Sequence, residues 1–174
     1  MIQSANVIDA KLALSHLDVE EKQTAITGAS RDFFWYSPVL KSRLDHLVAD
    51  FLVRPKDEAE IIEILRVCYA HDVPVTTRGA GTGNYGQAMP MRGGCLLHLK
   101  HMDKVTHCEP GRVIVQPGCL LKDVDAYCIP ACGHELRMFS STWATATIGG
   151  FIAGGSGGVG SVTWGSLREL GNII

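Results

Sequence analysis

Long apolar runs are missing from this chain: none approaches the roughly 20 consecutive residues that a helix needs to cross a bilayer, so no membrane span is expected. Blocks of like charge are missing too. The 16 Lys and Arg and 18 Asp and Glu are dispersed, the formal net charge is -2, and there is no clustered basic face of the kind that neutralises phosphates. Nucleic acid is therefore not an expected partner. The first fifteen residues contain Asp9 and Lys11 and no continuous apolar core, unlike a signal peptide, and the expected compartment is the cytoplasm. No Cys-x-x-Cys pair occurs among the six cysteines at positions 68, 95, 108, 119, 128 and 132. Buried free thiols in a reducing compartment are expected. Cys128 and Cys132 have the spacing to share a helix face, and His98, His101, His107 and Cys108 are close in sequence, but neither set has a recognised metal spacing, so no metal is predicted.

What the chain has in abundance is glycine, and it is concentrated. Twelve of the 19 glycines lie in two stretches: Gly79, Gly81, Gly83 and Gly86, then eight between Gly149 and Gly165. The first stretch, Arg78 to Gly86, follows the apolar Val73-Pro74-Val75. Such spacing lets a backbone turn with successive amides aimed at one point, a nest for an anion that bulkier residues would obstruct. We read it as a pyrophosphate cradle. Gly81 to Gly86 also fits G-x-G-x-x-G, but Pro90 and Gly93-Gly94 follow where a dinucleotide fingerprint would open a helix, so that reading fails on context. A Walker loop is excluded because no Gly-Lys-Ser or Gly-Lys-Thr occurs. In the second stretch Ile148, Phe151, Ile152, Val159, Val162 and Trp164 are interleaved with the glycines, whereas a flexible linker would be polar. A packed backbone that hugs a ligand is expected there, the second half of one site.

Around these stretches the pattern is that of a mixed globular chain, with 46% hydrophobic and 20% charged residues. Met1 to Ile26 reads as loosely helical, and Gly28 to Pro38 as a loop whose Phe33, Phe34, Trp35 and Tyr36 pack an N-terminal arm, or less often form a ligand wall. Val48 to Val53 is a strand. Asp57 and Glu60 form a capping box for a helix whose Ile61, Ile64, Leu65 and Cys68 make one buried stripe. Val73 to Thr77 is the next strand, parallel to the first, which puts the glycine loop at the carboxyl end of a strand. Cys95 to Leu99 is a strand, Lys104 to Cys108 and Val113 to Gln116 form a hairpin about Pro110-Gly111, and Leu120 to Cys128 is a helix ended by Pro130. Ile173-Ile174 looks like a strand beginning. The expected division is a helical arm over 1–46 and a domain over 47–174.

The succession Arg-Gly-Ala-Gly-Thr-Gly-x-x-Gly, Val-Gln-Pro-Gly after a hairpin, Ala-Thr-Ile-Gly-Gly and Trp-Gly-Ser resembles the FAD-binding domain of the vanillyl-alcohol oxidase and p-cresol methylhydroxylase (PCMH-type) flavoproteins, from about Leu47 onward. The resemblance implies an α+β domain of two α/β subdomains, the second incomplete here, with the flavin between them. It implies that Gly79, Ala80, Gly81, Thr82, Gly83, Asn84, Gly86 and Gln87 hold the FAD pyrophosphate and its surroundings, with Arg78 either reaching a phosphate or serving the loop as a salt bridge or cap. It places Gly118, Thr142, Ala146, Thr147, Ile148, Gly149, Gly150, Ala153, Gly157, Gly158, Gly160 and Val162 along the rest of the cofactor.

Members that tether the flavin covalently often have a His in the first loop, where this chain has Thr82, and some have a Cys where it has Thr145; non-covalent FAD is expected. Trp143 departs from the Pro and Ser usual in that stretch, and His134 reads as an ordinary histidine. The resemblance further implies oxidation of a D-2-hydroxy acid or related alcohol by hydride transfer to the flavin, with a C-terminal cap domain holding the small-molecule substrate, and the alternative is an FAD-binding fragment without turnover. The catalytic residues, oligomeric state and electron acceptor are not readable in these 174 residues.

Overall fold

The computed structural model describes residues 4–155 and 157–167; the strand expected at Ile173-Ile174 lies outside them. The chain forms two compact units, Met1–His101 and Met102–Ile174, each with its own core.

The first unit is a four-stranded sheet with helices. Its elements are α1 (Ala5–Ala13), β1 (Val19–Glu20), α2 (Gln23–Ala29), a 3-10 turn (Phe34–Tyr36), α3 (Pro38–Leu44), β2 (Phe51–Val53), α4 (Glu58–Ala70), β3 (Val75–Arg78) and β4 (Cys95–His98). Strand order is β1-β2-β4-β3, with β1 antiparallel to β2 and both β2 and β3 parallel to β4. The expected parallel strands before and after α4 are present, but β4 is inserted between them. Side chains alternate along β2 and β4. Phe51, Val53, Cys95 and Leu97 face Ile64 and Cys68 of α4 and Val7, Ala10 and Leu14 of the N-terminal segment, while Leu52 and Leu96 face Ile26 of α2 on the other side. Cover on both faces explains why these strands are continuously apolar rather than alternating.

Asp57 caps α4 by accepting from the Glu60 amide at 2.9 Å, as the spacing predicts. The return bond differs: the Glu60 carboxylate accepts from the amide of Lys56, one residue before the cap, at 2.9 Å. Helix α3 falls where the aromatic loop was expected to run out, nucleated by Ser37, whose Oγ accepts from the Leu40 amide, and by Pro38 in the first turn.

The second unit contains the hairpin β5 (Val105–Glu109) and β6 (Arg112–Val115), then α5 (Leu121–Cys132), α6 (Ile148–Ala153) and α7 (Ser161–Trp164). The hairpin closes at Gly111 as expected. Pro130 does not end α5. It lies in the last turn, where it forfeits one amide bond only, and the helix runs to Cys132 before Gly133 caps it in the left-handed region. One face of α5 packs on the hairpin, with Val124 and Cys128 against Val105, Cys108 and Val113. That packing corrects the expectation of free thiols throughout. Cys108 and Cys132, 24 residues apart, form a disulfide, while Cys68, Cys95, Cys119 and Cys128 are free and buried.

Candidate cofactor-binding site

The first glycine loop leaves β3 at its carboxyl end, and its shape is held from upstream. Asp32, buried, uses both carboxylate oxygens: Oδ1 accepts from the Phe34 amide at 2.8 Å and Oδ2 from the Gly86 amide at 2.9 Å. The Phe33 amide donates to the Gly83 carbonyl at 2.8 Å. Phe34 itself is buried with Leu44 and Met89, whereas Phe33, Trp35 and Tyr36 are exposed, with Phe33 and Trp35 each stacked on Tyr36 and tilted to one another. The aromatic segment is therefore both a packing anchor and an exposed ring cluster.

Arg78, also buried, is the loop's internal strut. Its Nη1 donates to the Arg31 carbonyl at 2.6 Å and its Nη2 to the Ala80 carbonyl at 3.4 Å. Burial lowers the guanidinium pKa and the Asp32 charge opposes that shift, so the cation is held by main-chain acceptors and one nearby carboxylate. Beside it on β4, His98 is pushed down to about 4 by burial first, then by the charges of Arg78, Lys100 and Arg54, against a hydrogen bond with the Gly79 main chain. It is neutral at pH 7.

These bonds leave the turn of the loop open for a ligand. Gly86 is committed to Asp32 and the Tyr85 amide to Gln87 Oε1, but among the described residues no protein acceptor takes the amides of Ala80 to Asn84. Gly79 to Gly83 are half-buried, and Asn84 and Gln87 exposed. Gly81 has φ of 71°, and a Cβ there would collide with the Arg78 guanidinium, so glycine is required on both counts. Gly83 is different. Its φ is not positive, and a Cβ would meet the end of the Gln87 side chain, 2.6 Å away, which can turn aside. A run of unengaged amides over a buried cation is the donor set an anion such as a pyrophosphate needs.

In the second unit Thr147 caps α6, its Oγ1 accepting from the Gly150 amide at 3.3 Å. Ala146 and Thr147 are buried, with the Ala146 carbonyl accepting from Leu121 and the Ile148 amide donating to Cys119. Gly118 donates to Met102 and Gly149 to Pro117, so these predicted residues gather around the turn that precedes α5. Three glycines there answer to chain packing: a Cβ on Gly149 would stand 2.7 Å from Pro117 Cβ, and on Gly158 or Gly160 it would strike the carbonyl of Phe139 or Arg137. Gly150, Ala153, Gly157 and Val162 are exposed and Thr142 half-buried. Trp143, the departure noted in the sequence, donates Nε1 to Asp125 Oδ2 at 2.9 Å, and Asp125 Oδ1 accepts from Leu136. Sequence reasoning passed over Asp32 and Asp125 and weighed His98 only as a metal ligand. Only Asp32 carried a signal, an Asx residue two before an aromatic turn.

The fold and the open amide run suit a ligand with an anionic group, and comparison with known proteins supplies the family. The family model described as "FAD binding domain" matches residues 49–170. Glycolate oxidase subunit GlcD of Bacillus subtilis (strain 168) is 32% identical over 122 residues, 69% of this chain and 26% of that protein. D-lactate dehydrogenase of Archaeoglobus fulgidus is 34% identical over 120 residues, 68% of this chain and 26% of its own length. A solved structure of p-cresol methylhydroxylase with substrate bound superposes with a TM-score of 0.65 at 19% identity, covering 84% of this chain and 28% of that one. The chain belongs to the PCMH-type FAD-binding domain family, with the mixed α+β fold that membership implies. It spans about a quarter of the length of the curated relatives it matches.

Proposed function

We propose that this chain is the FAD-binding part of an oxidoreductase that oxidises a 2-hydroxy acid of D configuration, or a related alcohol. The observation that carries the reading is the open amide run of Ala80 to Asn84 above buried Arg78, in a chain whose relatives are named for oxidation of glycolate and D-lactate. When bound, FAD supplies the hydride acceptor. The chain's own residues bind and orient it. Gly79 to Asn84 donate main-chain hydrogen bonds to the pyrophosphate, Arg78 lends positive potential beneath them, and Gly86 and Gln87 close the turn. Gly118, Thr142, Ala146 to Gly150, Ala153, Gly157, Gly158, Gly160 and Val162 form the second set of cofactor contacts. Thr82 and Thr145 offer neither the imidazole nor the thiol that covalent tethers use, which supports non-covalent FAD. A cytoplasmic location, a C-terminal cap that completes the substrate site and a possible homo-oligomer belong to the same reading. Among the described residues no helix is long and apolar enough to cross a membrane.

A second reading, a cofactor-binding piece without turnover, is favoured by the 26% share of the relatives' length. One experiment separates the two. The purified chain is mixed with FAD, desalted, and its flavin spectrum followed anaerobically on addition of glycolate, D-lactate and D-2-hydroxyglutarate. Retained flavin that bleaches supports the enzyme reading, retained flavin that does not bleach supports the fragment, and a colourless chain overturns FAD binding for both.

A further inference from the structure

The second unit holds a sulfur cluster that cofactor binding does not use. The Sγ atoms of Cys108, Cys128 and Cys132 all lie within 4.8 Å of one another. Their convergence has a structural cause. Cys128 and Cys132 are four residues apart on α5, hence one above the other on the same face, and that face packs on β5, which brings Cys108. Cys128 is buried and the other two half-buried, so the cluster opens to solvent on one side only. Nearby carboxylates are otherwise occupied: Asp125 accepts from Leu136 and Trp143, and Glu109 lies against His107 and Arg112.

We propose that these three cysteines, when reduced, form a binding site for a thiophilic d10 cation of the Zn(II) or Cu(I) class. Thiolate donors select such ions, and bonds of about 2.3 Å to one tetrahedral centre put sulfurs on the order of 3.8 Å apart, within the spread seen here. The half-buried side leaves room for water as a fourth ligand to zinc, while copper(I) is satisfied by three sulfurs. The Cys108–Cys132 disulfide is the oxidised form of the same site. A dithiol reductant takes the two sulfurs to thiols and is itself oxidised to a disulfide. Binding of Zn(II) then releases three protons as three S–H bonds are exchanged for three metal–sulfur bonds. Cation binding and disulfide formation exclude each other because they draw on the same lone pairs.

The test uses the full chain, reduced with a phosphine and handled anaerobically. Titration with Co(II) as the zinc surrogate should give intense thiolate-to-cobalt charge-transfer bands saturating at one ion per chain, and Zn(II) should bleach them. Cu(I) is run separately as a competition against a chelator of known affinity. Cys128→Ser and Cys132→Ser should each weaken binding by at least about 100-fold, the upper end of what losing even an outer ligand partner costs. Because either variant could perturb folding, native-state alkylation of the unsubstituted chain gives a second readout: Zn(II) or Cu(I) should protect Cys108, Cys128 and Cys132 and leave the reactivity of Cys68, Cys95 and Cys119 unchanged. Binding of either ion with that pattern supports the site. Absence of thiolate bands together with no Cu(I) uptake, an unchanged affinity in Cys128→Ser, or protection spread over all six cysteines overturns it.

Discussion

Asp32 and Arg78 are two buried charges that hold one loop. Asp32→Ala strands the Phe34 and Gly86 amides and leaves the Arg78 guanidinium without its carboxylate, each stranded group costing about 1–3 kcal/mol. FAD affinity, measured by quenching of flavin fluorescence, should fall at least about tenfold, the equivalent of 1.4 kcal/mol. Gly81→Val should abolish flavin retention because it combines a forbidden φ with a collision against Arg78, whereas Gly83→Ala should retain much of it, since only the Gln87 side chain must move. Equal loss in both variants would mean that the loop's shape is not what holds the cofactor. His98 gives a pH signature. Its pKa of about 4 when folded lies below the ordinary histidine value, so the unfolded chain binds more protons as pH falls. Its contribution is complete above about pH 6.5 and is lost as pH drops towards 4. Urea midpoints of the native chain should decline through that window more steeply than those of His98→Gln; parallel curves would remove His98 as the cause. Gly81 was legible in the sequence as a residue whose conformation needs glycine, whereas Gly83, read the same way, has no positive φ. Asp32 and His98 were not legible, because their roles come from partners that no local spacing encodes.

Helix α4 was the most legible element, since its cap, its end and most of its apolar stripe are written within fifteen residues; the exception is Leu65, expected on the buried face and found exposed, because the sheet covers only Ile64 and Cys68 fully. Asp57→Ala should cost about 1 kcal/mol of stability through the lost cap, and Ile64→Ala about 2–5 kcal/mol through the cavity it opens under the sheet. Denaturant unfolding measures both, and the larger loss should be at Ile64. The hairpin was legible for the same reason, because Pro110-Gly111 specifies its turn. Helix α3 and the extension of α5 past Pro130 were not. Each depends on what packs around a turn: Ser37 and Pro38 look like loop residues until the chain beyond them is seen to coil. The second glycine stretch shows the other way a signal misleads. Its density was visible, but Gly149, Gly158 and Gly160 make room for Pro117, Phe139 and Arg137 as well as for anything bound. Gly158→Ala should therefore lower the melting temperature even without cofactor, which separates it from variants of the first loop.

At the scale of the molecule, a family signature over residues 49–170 identifies the cofactor. On the proposed function FAD binds the folded chain and not the unfolded one, so a hundredfold excess over its dissociation constant should add about 2.7 kcal/mol of stability, seen as a rise in melting temperature that grows with FAD concentration. A melting temperature indifferent to FAD would contradict the cradle. The hydrogen bonds from Arg78 to Arg31 and from Gly86 to Asp32 span 47 and 54 residues, and they make the order of assembly matter. The segment around Asp32 leaves the ribosome first and can bond locally, Asp32 Oδ1 to the Phe34 amide and Arg31 to Asp45, but Asp32 Oδ2 and the Arg31 carbonyl lack their loop partners until β3 and its loop exist. The loop in turn has its amides available from the moment it is made, yet has no fixed curvature until that earlier segment returns. On the proposed function, flavin capture is then a late event. In refolding from urea it should lag behind formation of the sheet, so that colour acquired by the chain reports the seating of its own upstream segment.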